Sequence, residues 1–458
     1  MGGKLLKCKT IGKQNEEGMA LITTLLFLAV MGVLSTALVF TVQNEMKTST
    51  SYKYSEQAYY VANAGVQKAI GWYRTSYTPH LPASDYDITT LPIHYSGSNV
   101  FLAGQTGSTT VYPESTVTAS FSSNFSNKSL QANTNNSGSY ALNSTLMKYL
   151  PVTFIDPNTF TTYQSAIERW RINSIGYWGN VANPMAVARI NAVIENSGNA
   201  LFDRALWGID GADLGGTVLV DSYDPALGPY NKITNAGDMG SVGSNGSVSA
   251  SGSVEINGDL AYGPTGTYTS TPNVNVTGDI FHLTEPKSFP AIPDFSVGTT
   301  DLNPSNGTTT INPGSYGSVN IGANGVLQLN PGTYYFDSIT EGSTGALRIS
   351  GPTTIFVKSA LDLSGQGVIN PLGDPTKLTI FYSGTSRADV VGGAQAYVEI
   401  YAPNADVRLV GTSDFYGSFI GKTLFIQGTP EVHFDEGALR EHLLQQPFRL
   451  ITWTQNTD

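Results

Sequence analysis

A long uncharged apolar segment near the N-terminus constrains this chain more than any other feature. Residues 18–44 contain no Asp, Glu, Lys or Arg, and the 24 residues from Met19 to Val42 are predominantly apolar. As a helix they extend about 36 Å, enough to cross a hydrocarbon core of about 30 Å. Because the four lysines of residues 1–17 precede this segment, we expect a cytoplasmic head with the remaining chain outside.

The segment differs from a secretory signal peptide, whose apolar part is about 7–15 residues and ends at a small-x-small cleavage site. A plain membrane anchor is the alternative that the segment itself leaves open. The next stretch, residues 43–72, contains no proline and only two glycines, Gly65 and Gly71. Small and apolar residues recur there at helical spacing, so we expect the membrane helix to continue outward as an amphipathic helix. The whole helix would contain about 55 residues and be roughly 80 Å long, and its small-residue face would let another surface pack closely.

Composition predicts that the rest of the chain is rich in β-structure. Only 13% of the 458 residues are charged, 49 are glycine and 40% are hydrophobic. This disfavours a helical bundle, which needs charged exposed faces, and disfavours disorder. The net charge of −11 argues against nucleic-acid binding. The single cysteine, Cys8, excludes an intramolecular disulfide and a multi-thiolate metal site.

Short repeated units characterise the region after residue 200. A six-residue unit places in register Val242, Val248, Val254 and Leu260. A five-residue unit, apolar-x-apolar-x-Gly, begins at residues 254, 347, 361, 407 and 424. Each unit predicts a short strand with two inward side chains, followed by a glycine corner with positive φ. Stacked units favour a parallel β-helix, and a β-sandwich, whose strands are usually longer, is the alternative.

The region between the helix and the repeats is less clearly patterned. Residues 169–177 and 186–195 alternate well and flank turn-forming residues 179–184, which predicts an antiparallel pair of strands. Periodicity does not decide between loops and short strands in the Ser-, Thr- and Asn-rich stretch from 115 to 145. We expect the paired strands to pack on the outer half of the long helix.

The N-terminal pattern resembles that of type IV pilin-like proteins, and more narrowly that of PilX-type pilus assembly proteins. The resemblance rests on the basic leader, on Glu-Glu-Gly followed by Met-Ala-Leu-Ile at residues 16–22, and on SEQAYYVANAGVQKAIGWY at 55–73. Further similar stretches occur at 205–216, 221–230, 331–336, 401–411 and 433–440. The resemblance implies cleavage by prepilin peptidase between Gly18 and Met19, methylation of Met19, and helix packing through Ala58, Tyr59, Ala62 and Gly65.

One residue departs from the family pattern. Major pilins carry Glu at the fifth mature position, where this chain has Thr23. In pilins that carboxylate is thought to meet the N-terminal amine of a neighbouring subunit, and a buried carboxylate without a partner is costly. We therefore expect a minor subunit whose incorporation does not depend on Glu at position 23. In one version of this hypothesis the subunit lies at the filament tip.

The sequence gives little sign of catalysis or metal binding. Aspartates crowd residues 203–224, and Asp210, Asp213, Asp221 and Asp224 are weak candidates for calcium. Turn capping explains them equally well. His433 and Asp435 alternate onto one side of a strand, which favours a hydrogen bond between them. Asp362, Asp389 and Arg387 are the candidates for a carbohydrate-active groove, without a signature spacing. We expect no enzyme and no cofactor.

The predicted fold is mainly β with one long N-terminal α-helix: a pilin-like helix and small antiparallel sheet, followed by a parallel β-helix. The predicted divisions are a leader (1–18), the membrane and amphipathic helix (19–75), an α+β head (76–200), the β-helix (201–445) and a C-terminal tail (446–458). The resemblance implies a minor pilin anchored in the inner membrane and then incorporated into a pilus. Its partners would be other pilins, pilus assembly proteins and a surface or polysaccharide ligand. The alternatives are a minor pseudopilin of type II secretion and a membrane-tethered carbohydrate-active enzyme.

Overall fold

A single long helix begins the structure. The computed structural model describes residues 14–133, 136–392 and 395–456, so residues 1–13 of the expected leader, with Cys8, lie outside the described residues. Helix α1 (Gln14–Thr75) contains 62 residues, which corresponds to about 93 Å at 1.5 Å per residue. Its side chains are exposed from Met19 to Lys53, and residues buried against the head appear from Ala58 onward.

The helix leads into a head built from a second helix and antiparallel strands. Its elements are the 3₁₀ turn Ala83–Asp85, β1 (His94–Tyr95), β2 (Ser98–Asn99), β3 (Phe101–Ala103), α2 (Ser115–Phe125), β4 (Lys128–Asn133), β5 (Asn136–Ile155), β6 (Thr162–Asn180) and β7 (Asn183–Ala200). The predicted strand pair is confirmed by β6 and β7, which meet at Asn180 opposite Asn183. The stretch from 115 to 145 is α2 followed by strands of the same sheet.

The repeat region forms a parallel β-helix, as predicted. Its first strands are β8 (Leu206–Tyr223), β9 (Val242–Ser244), β10 (Ser247–Ile256), β11 (Leu260–Tyr262), β12 (Tyr268–Ser270), β13 (Val274–Val276) and β14 (Ile280–His282). The later strands are β15 (Gly307–Ile311), β16 (Gly314–Ser315), β17 (Ser318–Ile321), β18 (Gly325–Leu329), β19 (Gly332–Glu341), β20 (Ala346–Ile349), β21 (Thr353–Leu363), β22 (Val368–Ile369), β23 (Leu378–Tyr382), β24 (Ala388–Gly392), β25 (Ala396–Ala402), β26 (Val407–Gly411), β27 (Asp414–Gly428) and β28 (Glu431–Asp435). One apolar core runs through these coils.

The coils are not stacked in chain order. From β8, the chain adds β9–β11 and then β12–β14 in one direction. It then passes through residues 283–306 to β15, and the later coils return toward β8 from the other side. The last coil, β27 and β28, pairs in parallel with β8, with Phe419 opposite Leu206 and His433 opposite Asp221. We call this junction of the first and last coils the seam.

Glycines with positive φ form one corner of the β-helix at the seam. Gly411, Gly428, Gly216 and Gly252 lie opposite one another on four successive coils, with φ between 89° and 116°. Each follows an apolar-x-apolar unit, such as Ala212 and Leu214 before Gly216, whose apolar side chains are buried. The prediction of a positive-φ corner therefore holds for the units ending at 258, 411 and 428. It is wrong for Gly351 and Gly365, which do not have positive φ.

The β-helix is inserted into the head. After β28 and the short 3₁₀ helix Glu436–Arg440, strand β29 (Leu443–Asn456) returns to the head sheet and pairs antiparallel with β7, from Leu443 opposite Ala200. The chain crosses between the head and the β-helix twice, once after β7 and once before β29. The N–H of Leu201 donates to the carbonyl of His442 (3.2 Å), so these two crossings lie side by side. The residues expected to form a C-terminal tail, 446–458, are thus an integral strand of the head up to Asn456. The sheet order is β29-β7-β6-β5-β3.

Candidate functional site: the N-terminal helix and the head that holds it

The first half of α1 presents an apolar surface that no other described part of the chain covers. Among the described residues, one helix is long and apolar enough to cross a membrane, with a mean hydropathy of 2.5 in its most apolar window and none of that window buried. The side chains of Leu26, Leu28 and Val33 are at least 65% exposed. A single N-terminal apolar helix of this kind is compatible with membrane anchoring.

Thr23 occupies the position at which major pilins have a carboxylate, and its hydroxyl is hydrogen-bonded within its own helix. Its hydroxyl lies 2.9 Å from the carbonyl of Met19 and 3.0 Å from that of Ala20, both in the preceding turn of α1. A hydroxyl bonded to its own helix needs no partner from another chain when it enters an apolar environment. The predicted cleavage site, between Gly18 and Met19, lies within the first turns of α1.

The residues predicted for helix packing lie on the face of α1 that contacts the head sheet of the same chain. Ala58 and Ala62 are fully buried, and Gly65 is buried as well. Tyr59 is half-buried and packs edge-to-face on Trp453 of β29, with ring centroids 5.8 Å apart. The small-residue face therefore holds the helix on its own head, and the exposed apolar half is left for other surfaces.

One glycine on the sheet and one on the helix let α1 approach β6 closely. A Cβ on Gly176 would lie inside contact distance of the carbonyl of Ala58 and the nitrogen of Ala62. Next to it, the hydroxyl of Ser174 donates to the carbonyl of Ala62 at 2.8 Å. Ser174 also faces Gly65, where an added Cβ would meet its hydroxyl at 2.6 Å. This contact between backbones fixes the helix on the sheet.

We expect Gly176→Ala to lower the free energy of unfolding of the head by about 2 to 3 kcal/mol, because the new methyl group would force helix and sheet apart. Gly71→Ala is the matched control. Gly71 lies in α1, and a Cβ added there would have nothing within 4 Å. Alanine at this position is therefore expected to raise the free energy of unfolding by about 0.5–1 kcal/mol. Urea unfolding followed by tryptophan fluorescence measures both. Equal stability of the two variants would contradict close packing at Gly176.

The end of α1 enters an aromatic cluster that surrounds a buried glutamate. The rings of Trp72, Tyr73 and Tyr77 contact one another edge-on or tilted. Tyr73 and Tyr77 also contact the ring of Trp170 on β6. Glu168 is fully buried there, and its Oε2 accepts hydrogen bonds from Tyr77 Oη (2.8 Å) and Trp170 Nε1 (2.7 Å). Burial raises the pKa of Glu168 to about 7, although those two hydrogen bonds favour the carboxylate.

Sequence reasoning missed Glu168, although a signal was present. The residues Trp170 and Ile172 face the core of the head, and a period of two extends that face back to position 168. His80 lies nearby between Asp85 and Glu114, with both ring nitrogens 2.7 Å from a carboxylate. Partial burial lowers the pKa of His80, but the two carboxylates outweigh it and the pKa is raised.

The four aspartates considered for calcium do not converge. Asp210 and Asp213 are exposed on β8. Asp224 caps the short 3₁₀ helix Pro225–Leu227 by accepting a hydrogen bond from the N–H of Ala226. Asp221 is buried and bonds to His433 and Tyr230. In the described chain these carboxylates form no common group of three.

The other polar candidates are engaged in local contacts. Arg387 makes a two-pronged hydrogen bond to Asp389 (2.8–3.0 Å), and Arg408 lies 3.7 Å from the same carboxylate. Asp362 lies opposite Asp389 on the neighbouring coil. The prediction of a hydrogen bond between His433 and Asp435 is wrong. Asp435 bonds to Tyr223 and to the N–H of Gly437, because its strand neighbour on β8 is Tyr223, and that of His433 is Asp221.

The fold defines a class of protein: a half-exposed N-terminal helix, an antiparallel head that holds its second half, and a parallel β-helix inserted between two head strands. A family model described as a domain of unknown function (DUF7305) matches residues 342–441, from just before β20 to just before β29. No curated protein matches the chain.

Among solved structures, the chain is similar to the competence-associated pilin ComZ from Thermus thermophilus. The two sequences are 13% identical, and the match covers 88% of this chain and 97% of that one. The TM-score is 0.22. A score this low carries no argument about the fold of this chain.

Proposed function

We propose that this protein is a minor, pilin-like subunit of a type IV pilus. In this proposal the chain is cleaved after Gly18, methylated at Met19 and held in the inner membrane by the first half of α1. It then enters the filament and displays its β-helix outside. The observation that carries the proposal is the division of α1 into an exposed apolar half and a half locked on the head by Ala58, Ala62 and Gly65.

The exposed apolar half of α1 supports a protein that is first surrounded by lipid in the membrane and later by other subunits in the filament. The 24 residues from Met19 to Val42 expose a large, predominantly apolar surface, and a surface of this kind marks contact with lipid or with other proteins. The head anchors only the outer part of the helix, so the apolar part is free to pack among the equivalent helices of other subunits. The self-bonded hydroxyl of Thr23 supports incorporation without a buried carboxylate.

The position of the β-helix supports a role in display. It is inserted between β7 and β29, at the edge of the head sheet, and both crossings lie together. A β-helix attached in this way adds surface without interrupting the contact between helix and head. Its exposed Ser, Thr and Asn side chains support adhesion or assembly as its use. We therefore propose a structural role and not a catalytic one.

Mass spectrometry of the N-terminus tests this proposal. In the native host, protein from the membrane and from sheared filaments is expected to begin at methylated Met19. Gly18→Val is expected to retain the leader and to be absent from the sheared fraction. Gly71→Ala is the matched control, because Gly71 lies outside the apolar half of α1 and an added Cβ there has nothing within 4 Å, and it is expected to behave as the wild type. An intact N-terminus in the sheared fraction would contradict the assignment.

A further inference from the structure

Three potential metal ligands converge on the outer face of the seam. In β27 and β28, Asp414 lies opposite Glu431, and Tyr416 lies opposite His433. The alternate residues Phe415, Val432 and Phe434 belong to the apolar core, so Asp414, Glu431 and His433 share the outer face. One ligand atom from each lies within 4.8 Å of the others, and no other set of three His, Cys, Asp or Glu residues in the described chain does so.

The imidazole of His433 is held in one orientation. Its Nδ1 lies 2.5 Å from Oδ1 of Asp221, on the neighbouring strand β8. The ring of Tyr230, from the loop between β8 and β9, covers it at a centroid distance of 3.8 Å. The hydroxyl of Tyr230 donates to the second oxygen of Asp221 at 2.8 Å. These contacts leave His433 with no exposed surface.

The other ring nitrogen of His433 has no hydrogen-bond partner. Because a carboxylate can only accept, Nδ1 carries the proton, and Nε2 of the neutral ring is a free lone pair. That buried Nε2 is unpartnered and points toward Glu431, whose Oε2 is 3.8 Å away. Asp414 and Glu431 are also like charges directly opposite each other on neighbouring strands, a repulsion that a cation bound between them would relieve. Three electron-pair donors thus face one point.

We propose that Asp414, Glu431 and His433 bind a divalent transition-metal ion of the Zn²⁺ type at the seam. An imidazole with two carboxylates is a donor set suited to such an ion, and calcium prefers oxygen alone. A histidine that ligates a metal typically donates its other N–H to a carboxylate, which is the role of Asp221 here. Asp221 is therefore a positioning residue.

Closing the site needs only side-chain movement. The ligand atoms of a tetrahedral Zn²⁺ site with bonds near 2.1 Å lie about 3.4 Å apart. The side chain of Glu431 is 38% exposed, so it is free to rotate inward, and Asp414 is half-exposed. Lys232 lies 3.6 Å from Glu431 Oε1, but its side chain is 67% exposed and free to leave. The ion would join the last coil, β27 and β28, to the first coil through Asp221.

Zn²⁺ binding to the full chain tests this site. The protein is purified in detergent without a histidine tag, stripped with chelator and titrated with Zn²⁺. We expect one equivalent to bind and to raise the Tm. Asp414→Asn with Glu431→Gln is expected to weaken binding at least 100-fold, and Asp210→Asn with Asp213→Asn, two exposed carboxylates of β8, is the matched control. Equal affinity of the two double variants, or the absence of stoichiometric Zn²⁺ binding by the wild type, would overturn the proposal.

The positioning role of Asp221 has its own readout. Asp221→Asn removes the negative charge and replaces with an NH₂ donor one of the two oxygens that accept from His433 Nδ1 and from the Tyr230 hydroxyl. It is expected to weaken Zn²⁺ binding about 10- to 100-fold. It is also expected to change the visible absorption of bound Co²⁺, which reports the ligand geometry and is not altered by a loss of stability alone. An unchanged Co²⁺ spectrum with unchanged affinity would remove Asp221 from the site.

Discussion

Gly216→Ala is expected to unfold the seam of the β-helix, lowering the free energy of unfolding by roughly 4 kcal/mol. Gly216 has a φ of +98°, where a side chain costs about 1–3 kcal/mol. An added Cβ would also lie inside contact distance of the carbonyl of Gly428 on the next coil, and such overpacking costs a further 1–3 kcal/mol. Because whole domains are stable by only about 5–15 kcal/mol, the loss is large. Thermal unfolding by far-UV circular dichroism measures it.

Gly228→Ala separates the two causes. Gly228 also has positive φ (109°), but nothing lies within 4 Å of an added Cβ. Its substitution is expected to cost only the backbone strain and to leave the seam folded. If both alanine variants lowered the Tm equally, the close stacking of Gly411, Gly428, Gly216 and Gly252 would not be what holds this corner.

The protein is expected to be most stable near pH 5 and to lose stability as the pH rises to 8. Burial raises the pKa of Glu341 to about 8, against hydrogen bonds from the N–H groups of Gly365, Leu347 and Gly367. Burial likewise raises that of Glu168 to about 7. Between pH 4.5 and those values the native state holds protons that the unfolded chain has lost, so the free energy of unfolding falls with pH.

A histidine contributes to the same trend. Burial lowers the pKa of His442, but Glu399, whose Oε2 lies 3.0 Å from Nδ1, outweighs burial and the pKa is raised. A histidine whose pKa is raised in the folded state stabilises the fold fully below about pH 6.5. That contribution is lost as the pH rises through the pKa of the folded state. The buried carboxyls and His442 therefore act in the same direction.

Glu168→Gln tests the contribution of the head to the pH dependence of the free energy of unfolding. Each pH unit over which the native carboxyl keeps its proton costs about 1.4 kcal/mol, so Glu168 accounts for roughly 3 kcal/mol between pH 4.5 and 8. The variant is expected to flatten the pH dependence of urea unfolding followed by the fluorescence of Trp170 and its neighbours. Glu255→Gln, at an exposed position of β10, is the matched control and should keep the slope. A stability that rises from pH 5 to 8 would contradict the argument.

Local patterns in the sequence predicted the elements better than their partners. The spacing of Ala58 and Ala62 predicted a packed helix face because side chains three and four residues apart share a face in any helix. The strands β6 and β7 followed from alternation around a turn. The expectation that these strands pack on the outer half of the helix is confirmed. The sequence did not show which residue of the sheet permits the close approach, and that residue is Gly176 of β6, about 115 residues away.

The residues that converge at the seam show why long-range pairing escaped prediction. His433 was expected to bond to Asp435, two positions along the same strand, and its partner is Asp221, 212 residues earlier. Alternation identifies the face of a strand but not the strand beside it. The same limit hid β29, whose residues carry no sign that they complete a sheet begun at residue 101.

The sequence alone determined the exposed apolar half of α1 and the repeating strand-and-corner units of the β-helix, because both follow from periodicities of a few residues. Only the tertiary structure decided the stacking order of the coils, the insertion of the β-helix between β7 and β29, and the meeting of Asp414, Glu431, His433 and Asp221. Parallel strands with similar apolar spacing fit one another in several orders. The close contact of first and last coils, set by shape and burial across more than 200 residues, selects one of them.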